Sequence, residues 1–153
     1  MATFRRIEKR DIPDLFRVRT ATRENRVTIE YLRDQHGITR DSLAEALEGT
    51  LRGWCAIEND GICGFVMADG RTGEITVLAV LPDYEGRGLG KGLMQLAQDW
   101  LLRHHDEIWL MTTHDPALRA YGFYQALGWR PSGELTDDEE KFLLRRGLLP
   151  QSH

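Results

Sequence analysis

Apolar residues follow two spacings along this chain, and the switches between them mark out its elements. Thr3 to Ile7 alternates as a short strand does, and from Asp11 the spacing lengthens so that Leu15, Val18 and Arg19 share one helical face. A second helix is predicted over Asp41 to Leu47, where Leu43, Ala44 and Leu47 recur at i, i+1 and i+4. The polar stretch between them, Thr22 to Gly37, shows no clear period. Gly53 to Ile57 and Ile62 to Met67 read as strands joined by Glu58-Asn59-Asp60-Gly61, whose Asp-Gly pair predicts a hairpin. A turn over Asp69 to Gly73 leads into Glu74 to Leu81, whose near-continuous apolarity predicts a central strand covered on both faces.

Beyond Pro82 comes a glycine-rich loop and then a strong helical period, with Leu89, Leu93, Leu96, Ala97, Trp100 and Leu101 at i, i+4, i+7, i+8, i+11 and i+12. Glu107 to Thr113 reads as another strand. Ala117 to Leu127 reads as a helix closed by Gly128 in a left-handed cap. Trp129 to Leu135 and Lys141 to Arg146 read as a closing pair of strands. This order predicts an α/β fold with parallel and antiparallel neighbours in one sheet. No repeat or linker divides it, so residues 1–153 read as a single domain.

Composition narrows the function more than the fold. With 41% hydrophobic and 29% charged residues, disordered and membrane classes drop out. The longest apolar run, Val77 to Leu81, is far short of the roughly 20 residues that span a bilayer, and the charged start MATFRRIEKRD is unlike a signal peptide. A cytoplasmic location away from membranes is expected. A net charge of −4 argues against a nucleic-acid partner. Cys55 and Cys63 lack a companion set for a disulfide framework or zinc and are expected to be small buried residues, so no metal is predicted. Trp54, Trp100, Trp109 and Trp129 are expected in the core.

The chemistry concentrates at Pro82-Asp83-Tyr84-Glu85-Gly86-Arg87-Gly88-Leu89-Gly90-Lys91-Gly92, between the apolar strand and the amphipathic helix. First-turn amides of a helix point outward together and carry the positive end of its dipole, so an anion such as phosphate is favoured there. A Walker loop is excluded because Glu85 replaces its first glycine and Gly92 its hydroxyl residue. A dinucleotide fingerprint fails in both frames, which end at Lys91 and Leu93.

The pattern Glu85-Gly86-Arg87-Gly88-Leu89-Gly90 after an apolar strand resembles the coenzyme loop of the GCN5-related N-acetyltransferase (GNAT) superfamily. Phe123-Tyr124-Gln125-Ala126-Leu127-Gly128-Trp129 resembles that family's second signature, and together the likeness covers about Glu74 to Trp129. Two positions depart from it: Glu85 stands where the family has Arg or Gln, and Ala117 where Asn is frequent. The resemblance implies a mixed central sheet of about six to seven strands flanked by about four helices. It also implies transfer of an acetyl group from acetyl-CoA, as co-substrate without a metal, to a primary amine of a small molecule or peptide by direct attack in a ternary complex.

By the same resemblance, Glu85, Gly86, Arg87, Gly88, Leu89, Gly90 and Lys91 would hold the coenzyme diphosphate. The main chain of Leu78, Ala79 and Val80 would hold the pantetheine and the oxyanion. Tyr124 would donate a proton to the departing sulfur. Glu74 is the leading candidate for the base, with Glu24, His114 and Asp115 as alternatives. The acceptor is expected between Ala21 to Gly37, with Arg23, Glu24, Asn25, Glu30 and Tyr31, and the C-terminal hairpin. A homodimer is compatible with the sequence. Two other readings stay open, a non-catalytic acyl-CoA sensor and a protein-interaction module on the same fold.

Overall fold

Seven strands form one mixed sheet in the computed structural model, which describes residues 2–22 and 28–148. In chain order they are β1 (Thr3–Arg6), β2 (Leu51–Glu58), β3 (Gly61–Asp69), β4 (Glu74–Val80), β5 (Glu107–Thr113), β6 (Arg130–Leu135) and β7 (Glu139–Arg145). In space the order is β1-β2-β3-β4-β5-β7-β6, and every pairing is antiparallel except β4 with β5. The helices of the described residues are α1 (Ile12–Arg19), α2 (Ile29–His36), α3 (Arg40–Glu48), α4 (Leu89–Leu101) and α5 (Arg119–Ala126).

Five helices stand where about four were expected, and the additional one, α2, lies in the stretch that showed no period. Its ends are well specified: the Thr28 side chain accepts from the Tyr31 amide, and Gly37 closes the helix at φ 66°. Its interior buries only Leu32, so there is no apolar stripe to read. The β2–β3 hairpin also turns one residue earlier than the Asp-Gly pair implied. Asn59 (φ 54°) and Asp60 (φ 62°) form the two-residue loop, and Gly61 already belongs to β3.

Each face of the sheet carries its own core. On one face α4 buries Leu93, Met94, Ala97 and Leu101 against Val66, Ile108, Phe142 and Leu144. Of the predicted stripe Leu89, Leu93, Ala97 and Leu101 are buried while Leu96 and Trp100 stay half-buried, and polar Gln98 joins it because its side-chain oxygen accepts from the buried Trp129 indole at 3.0 Å. On the other face Leu15, Phe16 and Val18 of α1, Leu32 of α2 and Leu43 of α3 pack on Phe65, Met67 and Ala79. Cys55 and Cys63 are buried and unpaired, as expected. Trp54 and Trp129 are core residues, whereas Trp100 and Trp109 are only half-buried.

A part-buried ion pair ties β1 to the start of α1. Arg5 donates two hydrogen bonds to Asp11, each 2.8 Å, and the Glu8 amide donates a third at 2.7 Å. The Arg5 guanidinium accordingly holds the Asp11 carboxyl below its ordinary value. A depressed carboxylate stabilises the fold above its unfolded pKa and loses that contribution as pH falls through its folded value. Asp11→Ala is expected to cost about 1–3 kcal/mol at pH 7, because it removes the partner of the Glu8 amide and of a partly exposed guanidinium. Denaturant titration should show that difference narrowing below about pH 4.

Candidate active site

β4 lies at the middle of the sheet, yet it is not covered along its length as its apolar run predicts: Ile75 and Ala79 are buried, whereas Thr76 is exposed. Two local features account for this. The register with β3 slips between Met67 and Ala68, opposing them to Val77 and Ile75 and leaving Thr76 as a bulge. The pairing with β5 is confined to Glu74 opposite Trp109, where the Trp109 amide bonds the Gly73 carbonyl at 3.1 Å. From there the two parallel strands diverge.

Divergence leaves one edge of β4 open. Leu81 donates to the Cys63 carbonyl at 2.8 Å, so by the alternation of an antiparallel ladder Ala79 and Val77 also face β3. Leu78 and Val80 therefore turn their N–H and C=O groups toward the gap. Of the three residues expected to line it with main-chain groups, Ala79 does not: those groups belong to the β3 ladder. Open main-chain groups inside a sheet are costly without a partner, so this edge is a candidate binding surface.

The glycine loop sits at the mouth of that gap. Gly86 (φ 76°) and Gly88 (φ 80°) both adopt left-handed conformations, and a Cβ on either would meet nothing within 4 Å. Gly88 caps α4, and the helical ladder begins with the Gly92 amide bonding Gly88. The amides of Leu89, Gly90 and Lys91 consequently have no acceptor within the helix. Gly90 and Gly92 serve a different need: a Cβ on Gly90 would stand 3.3 Å from the Phe123 ring, and one on Gly92 would stand 2.8 Å from Phe4. Leu78 lies 3.9 Å from the same point on Gly90. One glycine thus brings together the open strand, the loop helix and α5.

Glu85 does not stand alone beside this anion-favouring loop. Its carboxylate forms an ion pair with Arg119, at the start of α5, while Arg87 pairs with Glu58 at 3.4 Å and lies over the Tyr84 ring. Arg119 thus offsets the Glu85 charge by direct contact. No local motif marks Arg119, because its partner is 34 residues away.

Tyr124 points inward. Its ring packs edge-on against Phe123, Trp129 and Phe142, with centroids 5.1, 6.4 and 6.5 Å away, so it belongs to the inner aromatic face of α5. Among the described residues its hydroxyl makes no hydrogen bond, and burial pushes the phenol well above its ordinary pKa. It is therefore held protonated as a donor.

Glu74 is half-buried at the closed end of the gap. Burial raises its pKa, and the nearby carboxylates of Asp69 and Glu139 raise it further. Of the alternatives among the described residues, the His114 ring nitrogen meets the Asp137 carbonyl at 3.0 Å, and Asp115 accepts from the Ala117 amide at 2.9 Å. Arg23, Glu24 and Asn25 lie outside the described residues. Glu30 and Tyr31 are exposed on α2, on the opposite side of the sheet from the loop helix.

A mixed sheet split beside a helix-capping glycine loop is the α/β frame of the candidate site. The family model described as acetyltransferase (GNAT) family matches residues 10–129, and the chain belongs to that family. The fold is that of known acetyltransferases. The PaiA N-acetyltransferase of Thermoplasma acidophilum, solved in complex with coenzyme A, superposes with a TM-score of 0.79 at 15% identity, covering 95% of this chain and 99% of that one. The ribosomal-protein-S18-alanine N-acetyltransferase of Escherichia coli gives 0.74 at 19% identity, covering 100% and 99%. The spermidine/spermine N-acetyltransferase SpeG of Vibrio cholerae gives 0.66 at 16% identity, covering 96% of each. No curated protein sequence matches the chain. None of the described helices is long and apolar enough to cross a membrane, and no group of metal-ligating side chains occurs among the described residues.

Proposed function

We propose that this chain transfers the acetyl group of acetyl-CoA to a primary amine of a small molecule or peptide, by direct attack within a ternary complex. The observation that carries this reading is the convergence of Leu78, Gly90 and Phe123, which sets an open strand edge, an anion-favouring loop and the Tyr124 helix around one gap. The amides of residues 86–91 hold the diphosphate. Leu78 and Val80 bond the pantetheine arm and orient the thioester, and an amide of the same edge receives the oxygen that gains charge on attack.

Two proton transfers remain. An alkylammonium with a pKa of about 10.4 must lose 3.4 units' worth of proton affinity at pH 7, about 4.6 kcal/mol, before it can attack. Glu74, directly or through water, takes that proton, and its raised pKa makes it a better base than an ordinary carboxylate. Tyr124 donates to the departing sulfur.

Calorimetric titration with acetyl-CoA and a thiol-release assay over a panel of amines test the reading together. Micromolar binding with turnover is expected. No binding at millimolar coenzyme overturns it, and binding without turnover would make the protein a sensor.

Glu74 offers a separate check. A carboxylate with a raised folded pKa destabilises the fold above that pKa and stops doing so once protonated. Glu74→Gln is therefore expected to melt slightly above the parent protein at pH 7, with the gap closing toward pH 4, and to lose at least tenfold in kcat at neutral pH, recovered in part as pH rises. Identical pH–rate profiles would remove Glu74 from the chemistry.

A further inference from the structure

The sheet face opposite α4 and α5 holds an open pocket of about 250 Å³, roofed by α1, α2 and α3 and floored by β2, β3 and β4. Ten of its thirteen lining residues are apolar, among them Phe16, Leu43, Ala46 and Met67. The polar ones are Arg19, Ser42 and Thr76, and no carboxylate lines it among the described residues. Its floor at β4 is Thr76 and Val77, the pair at the bulge. On one side of that pair lies Glu74, two residues back, and on the other lies Leu78, the first residue to face the gap.

A gap between helices and sheet is ordinarily closed by packing, because unfilled apolar space loses contact energy. Here the space opens to solvent, its β4 floor begins two residues along the strand from the candidate base, and its lining includes half-exposed Ile38, Ala46 and Leu51. From this geometry we infer that the acceptor is a primary amine carrying an apolar group, a short aliphatic chain or a phenyl ring, which fills this pocket while the amino group lies at the β4 edge beside Glu74. This inference rests on the acyl-transfer reading above and narrows its substrate class. Size agrees: a cavity of about 150 Å³ lined by aliphatic and aromatic side chains accommodates benzene, so 250 Å³ takes a ring with a short linker. Charge agrees as well. A polyamine would carry its second ammonium into a lining that offers no carboxylate among the described residues, and would forfeit its hydration there.

Specificity constants for ethylamine, butylamine, hexylamine, 2-phenylethylamine and spermidine test this. Each methylene entering the pocket is expected to raise kcat/KM about fourfold, so that hexylamine exceeds ethylamine by about 100- to 250-fold. Spermidine, whose chain carries two further ammonium groups, is expected at least about 100-fold below hexylamine. Ala46→Phe, which fills the pocket, should reduce the hexylamine-to-ethylamine ratio to below about 10. A flat series, or spermidine preferred to hexylamine, overturns the inference.

Two binding measurements separate this inference from the reading beneath it. Titration of the parent protein with 2-phenylethylamine, followed by amide resonances, is expected to shift Thr76 and Val77 and to saturate. If those shifts appear while acetyl-CoA fails to bind, the pocket stands and the transfer reading falls. Normal acetyl-CoA binding with no shift at Thr76 or Val77 overturns the pocket alone.

Discussion

Tyr124→Phe is expected to lower kcat by about 10- to 1,000-fold while the Kd for acetyl-CoA changes by less than about twofold. The substitution is unusually clean. The ring keeps its edge-on packing against Phe123, Trp129 and Phe142, and among the described residues no group loses a hydrogen bond when the oxygen is removed. Stability should therefore hold to within about 1 kcal/mol, so a fall in rate reports on chemistry. The departing sulfur is thiol-like, with an ordinary pKa of about 8.5, and the desolvated phenol lies well above that. A donor less acidic than its acceptor acts chiefly by hydrogen bonding to charge as it develops, and it stays protonated as pH rises. The parent protein should show no alkaline loss of this donor up to about pH 10. An unchanged kcat in the variant would exclude Tyr124 from the reaction.

Gly88→Val is expected to raise the Kd for acetyl-CoA by at least about 100-fold, measured by calorimetry. A Cβ at this position meets no protein atom within 4 Å, so the added side chain stands in the space before the helix-end amides, where the diphosphate is to lie. The fold cost is the left-handed conformation at φ 80°, about 1–3 kcal/mol for a β-branched residue, and thermal melting should show a folded protein of lower Tm. Gly88→Asn separates the two effects, because Asn tolerates that conformation while still filling the space. It should regain most of the Tm and little of the affinity. Full affinity in both variants would mean that the loop does not hold the coenzyme.

What the sequence made legible follows the range of the interactions involved. The β4, loop and α4 succession rests on local periods and on glycines whose conformations are set by near neighbours, and it stands where it was expected. Helix α2 went unread because a single buried side chain, Leu32, makes no period, although Thr28 and Gly37 mark both ends. The inward turn of Tyr124 depends on Trp129 and Phe142, which α5 reaches only in the folded sheet. The Glu85–Arg119 pair and the ladder alternation that turns Leu78 and Val80, but not Ala79, to the gap depend in the same way on tertiary contact. The divergence of β4 from β5 leaves no local signal in the sequence, and the structure supplies its geometry in the single register pair at Glu74 and Trp109.

A crystal structure of the chain with acetyl-CoA probes the proposed site directly. The diphosphate should lie within hydrogen-bonding distance of amides between residues 86 and 91, with the pantetheine arm bonded to Leu78 and Val80 and the sulfur near the Tyr124 hydroxyl. Coenzyme bound elsewhere, or a gap closed by β4 and β5 pairing along their full length, would contradict it.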